Sequence, residues 1–216
     1  MFPAPSSRRG FRVLGAGICV GLLALVAPAA AGDDSLASRL ASGTRSEADK
    51  ERDADRRPAD VIAFLAVEPG MTVIDLIAAG GWYTEILSVA VGEKGSVYAQ
   101  NPAFVLQIRE GVNDRALTAR LAGDRLPNVK RIDRELAEVG IEPGTLDLAI
   151  TALNFHHIYN ARGVEAAQAF LVAVRALLKP GGVLGLIDHA GGAARMVDQS
   201  EHPAGLQQGS NRHEEG

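Results

Sequence analysis

The stretch VIDLIAAGGWYTEIL, residues 73–87, decides the fold of this chain. It begins within a β-branched, apolar run (71–76), passes through a loop that contains two glycines (77–81), and continues into a helical pattern (82–92). A strand joined to a helix by such a loop is the first unit of a parallel α/β sheet. Ligands bind at the carboxyl ends of the strands in such sheets, so this loop is the first candidate for a binding site.

Strand-like and helix-like segments alternate through the rest of the chain. The strand-like runs are continuously hydrophobic rather than alternating, which is typical of parallel strands buried on both faces. We therefore predict a Rossmann-like α/β domain with a parallel sheet and helices on both faces. The predicted strands are residues 71–76, 95–100, 128–132 and 183–188, with a longer strand that follows a turn within 142–153, and the later predicted helices are 103–123 and 161–178.

Residues 1–31 are typical of a signal peptide. Three arginines without an acidic residue precede an uncharged apolar run, and Ala29 and Ala31 satisfy the small-residue rule for cleavage before Gly32. The segment SRRGF at residues 7–11 also resembles the twin-arginine export signal. We expect an exported, periplasmic protein. The alternative is a membrane anchor formed by an uncleaved leader, because the apolar run approaches the length that spans a bilayer.

The charge balance argues against a nucleic-acid partner. Three of the 22 basic residues are the arginines of the leader, and the remaining 19, against 26 acidic residues, give the mature chain a net charge of −7. Nucleic acids are bound chiefly by clustered Lys and Arg, and the sequence has no such cluster. The single cysteine, Cys19, leaves with the leader, so disulfides and thiolate metal sites are not expected.

Residues 32–56 are polar, with opposite charges at helical spacing such as Asp53 and Arg57. A run of this kind predicts a solvated helix or a linker. Pro58 then favours the first turn of a helix. The folded domain is therefore predicted to span residues 57–189.

The loop after the first strand does not match the dinucleotide-binding pattern. That pattern, G-x-G-x-x-G, requires glycines directly after the strand. Ile77, Ala79 and Trp82 occupy the three glycine positions. A Trp cannot replace the glycine that packs helix against strand, so this pattern is excluded.

The same loop resembles the first motif of the class I S-adenosylmethionine-dependent methyltransferases, D-x-G-x-G-x-G. Asp75, Ile77, Ala79 and Gly81 fall on its acid and glycine positions, so one of the three glycines is kept. The segment GGWYTEIL at residues 80–87 is similar to the first helix of exported, uncharacterised bacterial proteins of this type.

Two later segments extend the resemblance. VGEKGSVYAQNP at residues 91–102 and LKPGGVLGLIDH at 178–189 are similar to the second- and fifth-strand regions of these proteins, and the whole resemblance covers roughly residues 45–190. It implies S-adenosylmethionine as the cofactor and transfer of its methyl group to an acceptor. The residues do not distinguish a small molecule, a lipid or a protein as that acceptor.

The resemblance also implies a set of cofactor-binding residues. On the loop and the helix after it, these are Asp75, Ala79, Gly80, Gly81 and Tyr83. Most members of the family end the second strand with an acid that binds the ribose hydroxyls, whereas this chain has Gln100 and Asn101, whose amides accept hydrogen bonds more weakly. Glu135 is the candidate acid beside the adenine amino group. Asp75 as a cap of the loop, and Gln100 as an ordinary strand end, are the structural alternatives.

The segment TALNFHHIYN at residues 151–160 follows the fourth strand, which we expect beside the first. Methyl transfer requires alignment, and a base where the acceptor carries a proton. We predict Asn154 and His156 as the catalytic residues, with His156 as the base. His157 is the second choice, and His189 is a further candidate at the same rim.

Two other functions use the same residues. His156, His157, Asp188 and His189 could bind zinc or iron in a hydrolase or oxygenase, but no His-x-x-x-His helix or facial carboxylate pattern organises them, so no metal is predicted. A degenerate, non-catalytic domain that binds a small molecule or a partner is the other alternative, and the incomplete glycine motif favours it.

The C-terminal residues 190–216 are rich in glycine and polar residues. Methyltransferases of this class continue past the fifth strand with a helix and a two-strand hairpin, and this segment lacks the apolar runs that a hairpin needs. We predict a sheet that stops after five strands, in the order 3-2-1-4-5, and a disordered tail. The fifth strand would then be an exposed edge, open to a partner or to self-association.

Overall fold

The computed structural model describes residues 34–189 of the chain. The predicted signal peptide, including Cys19, and the predicted disordered tail lie outside the described residues. The helices are α1 Leu36–Ser42, α2 Glu47–Arg56, α3 Pro58–Phe64, α4 Trp82–Val91, α5 Ala103–Leu121 and α6 Phe155–Leu177. The strands are β1 Thr72–Leu76, β2 Ser96–Gln100, β3 Val129–Ile132, β4 Leu146–Ala152 and β5 Leu178–Ile187.

The five strands form one sheet in the order β3-β2-β1-β4-β5. Every neighbouring pair is parallel, and β1 lies in the centre between β2 and β4. The predicted α/β fold and strand order are therefore confirmed. Within the described residues β5 pairs only with β4, and its Val183 and Leu186 are exposed. A partner or a second copy at this edge stays a prediction.

Successive residues of β1 belong to two hydrophobic clusters, because side chains along a strand alternate between faces. Val73 packs in one cluster with Ile86 of α4. Ile74 packs in the other with Val174 of α6. The sheet is thus covered on both faces, as the continuous hydrophobicity of the strands predicts. This packing places the carboxyl end of β1 in the middle of the sheet.

Helix α6 begins earlier than predicted. The spacing of apolar residues predicted a helix from residue 161, but α6 starts at Phe155 and breaks at Gly163, where φ is 82°. The first turn is held from outside the helix, since the backbone N–H of His156 donates to the Asp188 carboxylate at 2.9 Å. A cap supplied by a residue 32 positions away cannot be recognised from the local pattern.

The segment predicted as a solvated helix or linker is helical, but it is packed against the domain. Leu40 of α1 is only 2% exposed and belongs to the cluster that contains α4. Asp53 and Arg57, which stand at helical spacing, bind other partners: the Asp53 carboxylate binds the Arg45 guanidinium. The Arg57 guanidinium instead pairs with Asp60.

Among residues 34–189, no helix combines the length and the apolar character needed to cross a membrane.

Candidate functional site at the carboxyl ends of the strands

The loop between β1 and α4 has an unusual backbone. Ile77 and Ala79 both have positive φ, of 56° and 49°, and Gly81 has φ of 81°. Only glycine adopts this left-handed region without a penalty, so two of the three left-handed positions in the loop carry strain. Ala79 stands where the resembling motif has glycine, and the geometry of the loop explains why glycine is preferred there.

Two buried amides hold this loop in place. The Gln100 side chain accepts a hydrogen bond from the Ile77 N–H at 3.1 Å and donates one to the Arg134 carbonyl. The Asn101 amide accepts from the Ala79 N–H at 2.8 Å and donates to the Ala79 carbonyl. These contacts stabilise the strained loop, a structural use of the two residues that the sequence suggested for ribose binding.

Asp75, at the end of β1, is buried. Its carboxylate accepts a hydrogen bond from the Thr84 hydroxyl at 2.6 Å, which ties the strand to the first turn of α4. Burial raises the pKa of Asp75 to about 7, although the hydrogen bonds from Thr84 and the charge of Arg120 act in the opposite direction. The Asp75 carboxylate therefore connects β1 to α4, and its raised pKa lies near neutral pH.

Arg120 of α5 connects the loop to two helices. Its guanidinium donates to the Gly80 carbonyl at 2.9 Å and lies 2.9 Å from the Asp49 carboxylate of α2. It also pairs with Glu85 of α4, which is buried and paired in addition with Arg125. Burial acts to raise the pKa of Asp49, but the hydrogen bond and charge of Arg120 outweigh it and lower the value. The sequence gives no local signal for this network, because its members come from three separate helices.

A cavity of about 380 Å³, here named the loop cavity, opens where the loop faces α2 and α5. Its lining includes Asp49, Arg56, Asp75, Gly80, Tyr83 and Arg120. The space is tight at the loop, since a Cβ added to Gly80 would lie 3.0 Å from the Cβ of Ala116. Burial raises the pKa of the Tyr83 hydroxyl, so Tyr83 remains a neutral hydrogen-bonding group at the edge of this cavity.

A second cavity of about 700 Å³, here named the apolar cavity, lies between α5 and α6. Its apolar lining includes Phe104, Ile108, Leu136, Ile158, Phe170 and Ala173. The two cavities adjoin, because both are lined by Ile77, Ala79, Asn113 and Asn154. Asn154 therefore lies where the two cavities meet.

The predicted cofactor-binding residues divide between these cavities. Asp75, Ala79, Gly80 and Tyr83 line the loop cavity, whereas Ala79, Gln100 and Glu135 line the apolar cavity. Gly81 and Asn101 line neither cavity. A Cβ on Gly81 would lie 2.7 Å from Leu117, so the absence of a side chain at Gly81 lets α4 pack closely on α5. Asn101 is fully buried beneath the loop.

Asn154 and His156 have different positions relative to the cavities. Asn154 lines both, and its amide donates to the carbonyls of Ile77 and Ala152 at 3.2 and 2.8 Å. His156 lines neither, because its Nδ1 lies 2.6 Å from the Asp188 carboxylate. His157, the second choice from sequence, lines the apolar cavity instead. Of two adjacent helical residues, only the second faces the cleft, and sequence alone cannot decide which.

Asp188, which directly follows β5, contacts both His156 and His189. Its carboxylate accepts the backbone N–H of His156 at 2.9 Å and that of His189 at 2.8 Å. Burial alone would raise the pKa of Asp188, but these N–H groups and the His156 ring lower it. Potential ligand atoms of His156, Asp188 and His189 all lie within 4.8 Å of one another. No sequence motif connects these three residues. They come together because β4 and β5 are neighbouring parallel strands and end side by side.

The chain resembles several solved structures of S-adenosylmethionine-dependent methyltransferases. One from Aquifex aeolicus has 30% identity and a TM-score of 0.49, over 61% of this chain and 63% of its own. An O-methyltransferase from Thermotoga maritima has 18% identity and a TM-score of 0.46, over 70% and 49% of the two chains. An arsenic(III) methyltransferase from Chlamydomonas reinhardtii has 26% identity and a TM-score of 0.42, over 56% and 40%.

In each case the match spans less than two thirds of the solved structure. The TM-scores also lie below 0.5, so these similarities do not by themselves define a function. No protein-family model matches the chain, and no curated protein matches it either. The fold defines the class, a Rossmann-like α/β domain, and the two cavities make the carboxyl ends of its strands the candidate binding site.

Proposed function

We propose that this chain is an S-adenosylmethionine-dependent methyltransferase. The observation that carries the proposal is the pair of adjoining cavities, because they bring together the loop that resembles the first methyltransferase motif and Asn154. The cleft lies where ligands of parallel α/β sheets bind. The donors and acceptors around it fit the two ends of this cofactor.

The loop cavity fits the amino-acid end. The backbone N–H groups of Gly80, Trp82 and Tyr83 have no hydrogen-bond partner within the described part of the chain. They stand at the N-terminus of α4, where free N–H groups and the helix dipole favour a carboxylate. The Asp75 carboxylate lines the same cavity and suits an ammonium group.

The apolar cavity fits the nucleoside end. Its Phe, Leu and Ile side chains suit the flat faces of a base, and Glu135 at its edge can accept hydrogen bonds from an amino group. The Gln100 oxygen uses one lone pair for the Ile77 N–H and has a second one available. A ribose hydroxyl would therefore meet an amide in place of the usual carboxylate, and we expect weaker cofactor binding.

When bound, S-adenosylmethionine supplies a methyl group activated by its sulfonium. The protein contributes mainly alignment to such a displacement. Asn154 lines both cavities and is our candidate for orienting the acceptor. His157 lines the apolar cavity and, as the better-placed imidazole, replaces His156 as the candidate base for an acceptor that carries a proton.

Calorimetric titration with S-adenosylhomocysteine tests the cofactor assignment. The variant Ala116→Trp places a large side chain on the exposed wall of the loop cavity and is expected to abolish binding. Ala119→Trp is the matched control, because Ala119 is exposed on the same helix and lines neither cavity. The absence of heat and of a thermal shift at millimolar ligand in the wild-type chain would refute the proposal. Equal binding in both variants would refute the position of the site.

A binding domain without turnover is the second candidate function. The strained Ala79, in place of a motif glycine, favours it. The two candidates separate in one experiment, in which the chain is incubated with methyl-labelled S-adenosylmethionine and a panel of small-molecule, lipid and protein acceptors. Transfer that disappears in Asn154→Ala supports the enzyme. Tight cofactor binding without transfer to any acceptor supports the binding domain.

We further propose that the chain is exported, on the basis of residues 1–31 alone. Fractionation of cells that express the wild-type chain or a variant with Arg8 and Arg9 changed to Lys tests the route. Retention of the variant in the cytoplasm is expected for twin-arginine export. Unchanged export of the variant would contradict that route.

A further inference from the structure

Three potential metal ligands meet at the ends of β4 and β5. His156 lies in the first turn of α6, directly after β4, and Asp188 and His189 directly follow β5. The two strands are parallel neighbours, so their carboxyl ends lie side by side. The ligand atoms of the three side chains all fall within 4.8 Å of one another. Two imidazoles and a carboxylate are a ligand set that zinc and related transition metals prefer.

The central carboxylate is held in position before any ion arrives. One oxygen of Asp188 accepts the His156 N–H and the other accepts the His189 N–H, so the backbone fixes its orientation. The His156 Nδ1 lies 2.6 Å from one of these oxygens, and the rings of His156 and His189 are 5.3 Å apart between centroids. Hydrogen bonds that orient a ligating carboxylate are a common feature of metal sites.

The site is also accessible. The side chain of His156 is 30% exposed and that of Asp188 is 16% exposed, while His189 is exposed. Zinc bound at about 2.0–2.1 Å to tetrahedral ligands separates neighbouring ligand atoms by about 3.3 Å. The 2.6 Å between the His156 Nδ1 and the Asp188 carboxylate is shorter than this separation, so binding an ion requires the His156 ring to move away from that oxygen.

We propose that His156, Asp188 and His189 bind a divalent transition-metal ion of the zinc type. The three protein ligands leave at least one coordination position open for water or another ligand. Such an ion would link the start of α6 to the end of β5, next to the residues that line the cleft. This inference does not depend on the proposed methyltransferase function, since the three ligands lie outside both cavities.

Titration of the untagged, chelator-treated full chain with ZnCl₂ tests the site. We expect binding of one ion per chain and a rise in melting temperature with zinc concentration, because an ion that binds only the folded state stabilises it. His189→Gln and Asp188→Asn are each expected to weaken the affinity by about 100-fold or more, since loss of even an outer contact costs about 10–100-fold. His189 is exposed, so its substitution leaves folding intact.

His157→Gln is the matched control. His157 is the neighbour of His156, with ring centroids 3.9 Å apart, but it lies outside the cluster of ligands. Its variant should bind zinc like the wild-type chain. Absence of stoichiometric binding, equal affinity in His189→Gln and the wild type, or an equal loss in His157→Gln would each overturn the assignment. Because zinc binding is measured without S-adenosylhomocysteine, its failure is distinct from a failure of the proposed function.

Discussion

Ala79 shows what a single methyl group does in the β1–α4 loop. Its φ of 49° places the backbone of Ala79 in the left-handed region, where a non-glycine residue is strained by about 1–2 kcal/mol. The variant Ala79→Gly removes this strain but gains freedom in the unfolded chain, and we expect a net stabilisation of about 0.5–1 kcal/mol. Urea unfolding measures the difference.

Ala78→Gly is the control for that prediction. Ala78 is the neighbouring residue, does not have a positive φ, and packs in a buried cluster with Leu117. Its variant should be destabilised by about 1 kcal/mol or more, from lost packing and chain entropy. The same sign of change in both variants would show that the left-handed geometry at Ala79 is not the source of strain.

Asp75 makes stability depend on pH. Burial raises its pKa from 3.8 to about 7, so between these values the folded state keeps a proton that the unfolded state releases. The free energy of unfolding therefore falls as pH rises through this window, by up to about 4 kcal/mol from this one group. In Asp75→Asn the decline between pH 4 and pH 7 should become much shallower, as measured by urea unfolding at a series of pH values.

Asp147→Asn provides the comparison. Burial opposes ionisation of Asp147, but the hydrogen bond and charge of Lys179 and the Thr72 N–H lower its pKa below 3.8. Its contribution is complete above that value and is lost only as the pH falls below it. The slope between pH 4 and pH 7 should therefore match that of the wild type. An unchanged slope in Asp75→Asn would contradict the assignment.

The role of a residue could be predicted from the sequence where that role depends on residues close to it in the chain. Asp75, near the end of β1, and Ala79, in the loop after it, fall on positions of the first motif and could be predicted from it. The orientation of His156 and His157 depends instead on Asp188, which is distant in sequence. The buried role of Asn101 depends in the same way on the strained loop that it contacts.

At the scale of elements, α2, α4 and α5 are connected by the Arg120 guanidinium. Arg120→Met leaves the Asp49 carboxylate and the Gly80 carbonyl without this donor, while Arg125 still neutralises Glu85. We expect a loss of about 2–3 kcal/mol in the free energy of unfolding, because a partly buried charge loses its partner. Thermal or urea unfolding gives the value.

Arg115→Met on the same helix is the matched control. Its guanidinium is exposed and contacts only the Glu110 carbonyl among the described residues. Surface substitutions of this kind change stability by less than about 0.5 kcal/mol. If Arg120→Met behaves like Arg115→Met, the connection between the helices contributes nothing to stability.

The strands and the order of elements could be predicted because continuous apolar runs and turn signals are local. The five observed strands overlap the five predicted ones, with the largest difference at β5, which begins at Leu178 rather than at residue 183. The N-terminal helices were harder to interpret, because their polar surfaces suggested solvent on all sides. Their packing depends on single residues, of which Leu40 is the most buried.

For the molecule as a whole, Leu40 tests whether residues 35–56 pack as part of the domain. Leu40→Ala is expected to lower the free energy of unfolding by about 2–4 kcal/mol, since it leaves a cavity against α4. Ser42→Ala, an exposed change on the same helix, should have little effect. Denaturant unfolding distinguishes the two. A negligible effect of Leu40→Ala would restore the interpretation of this segment as a linker.

The central position of β1 also has a consequence during synthesis. One of its neighbours, β4, is far away in the chain, as the contact between Thr72 and Asp147 across 75 residues shows. A ribosome adds about 5–20 residues per second, so about 4–15 seconds pass before β4 emerges. From the emergence of β2 until then, β1 has one open strand edge beside Val73, Ile74 and Leu76. The nascent chain is therefore most prone to aggregation, and most in need of a chaperone, between the emergence of β2 and that of β4.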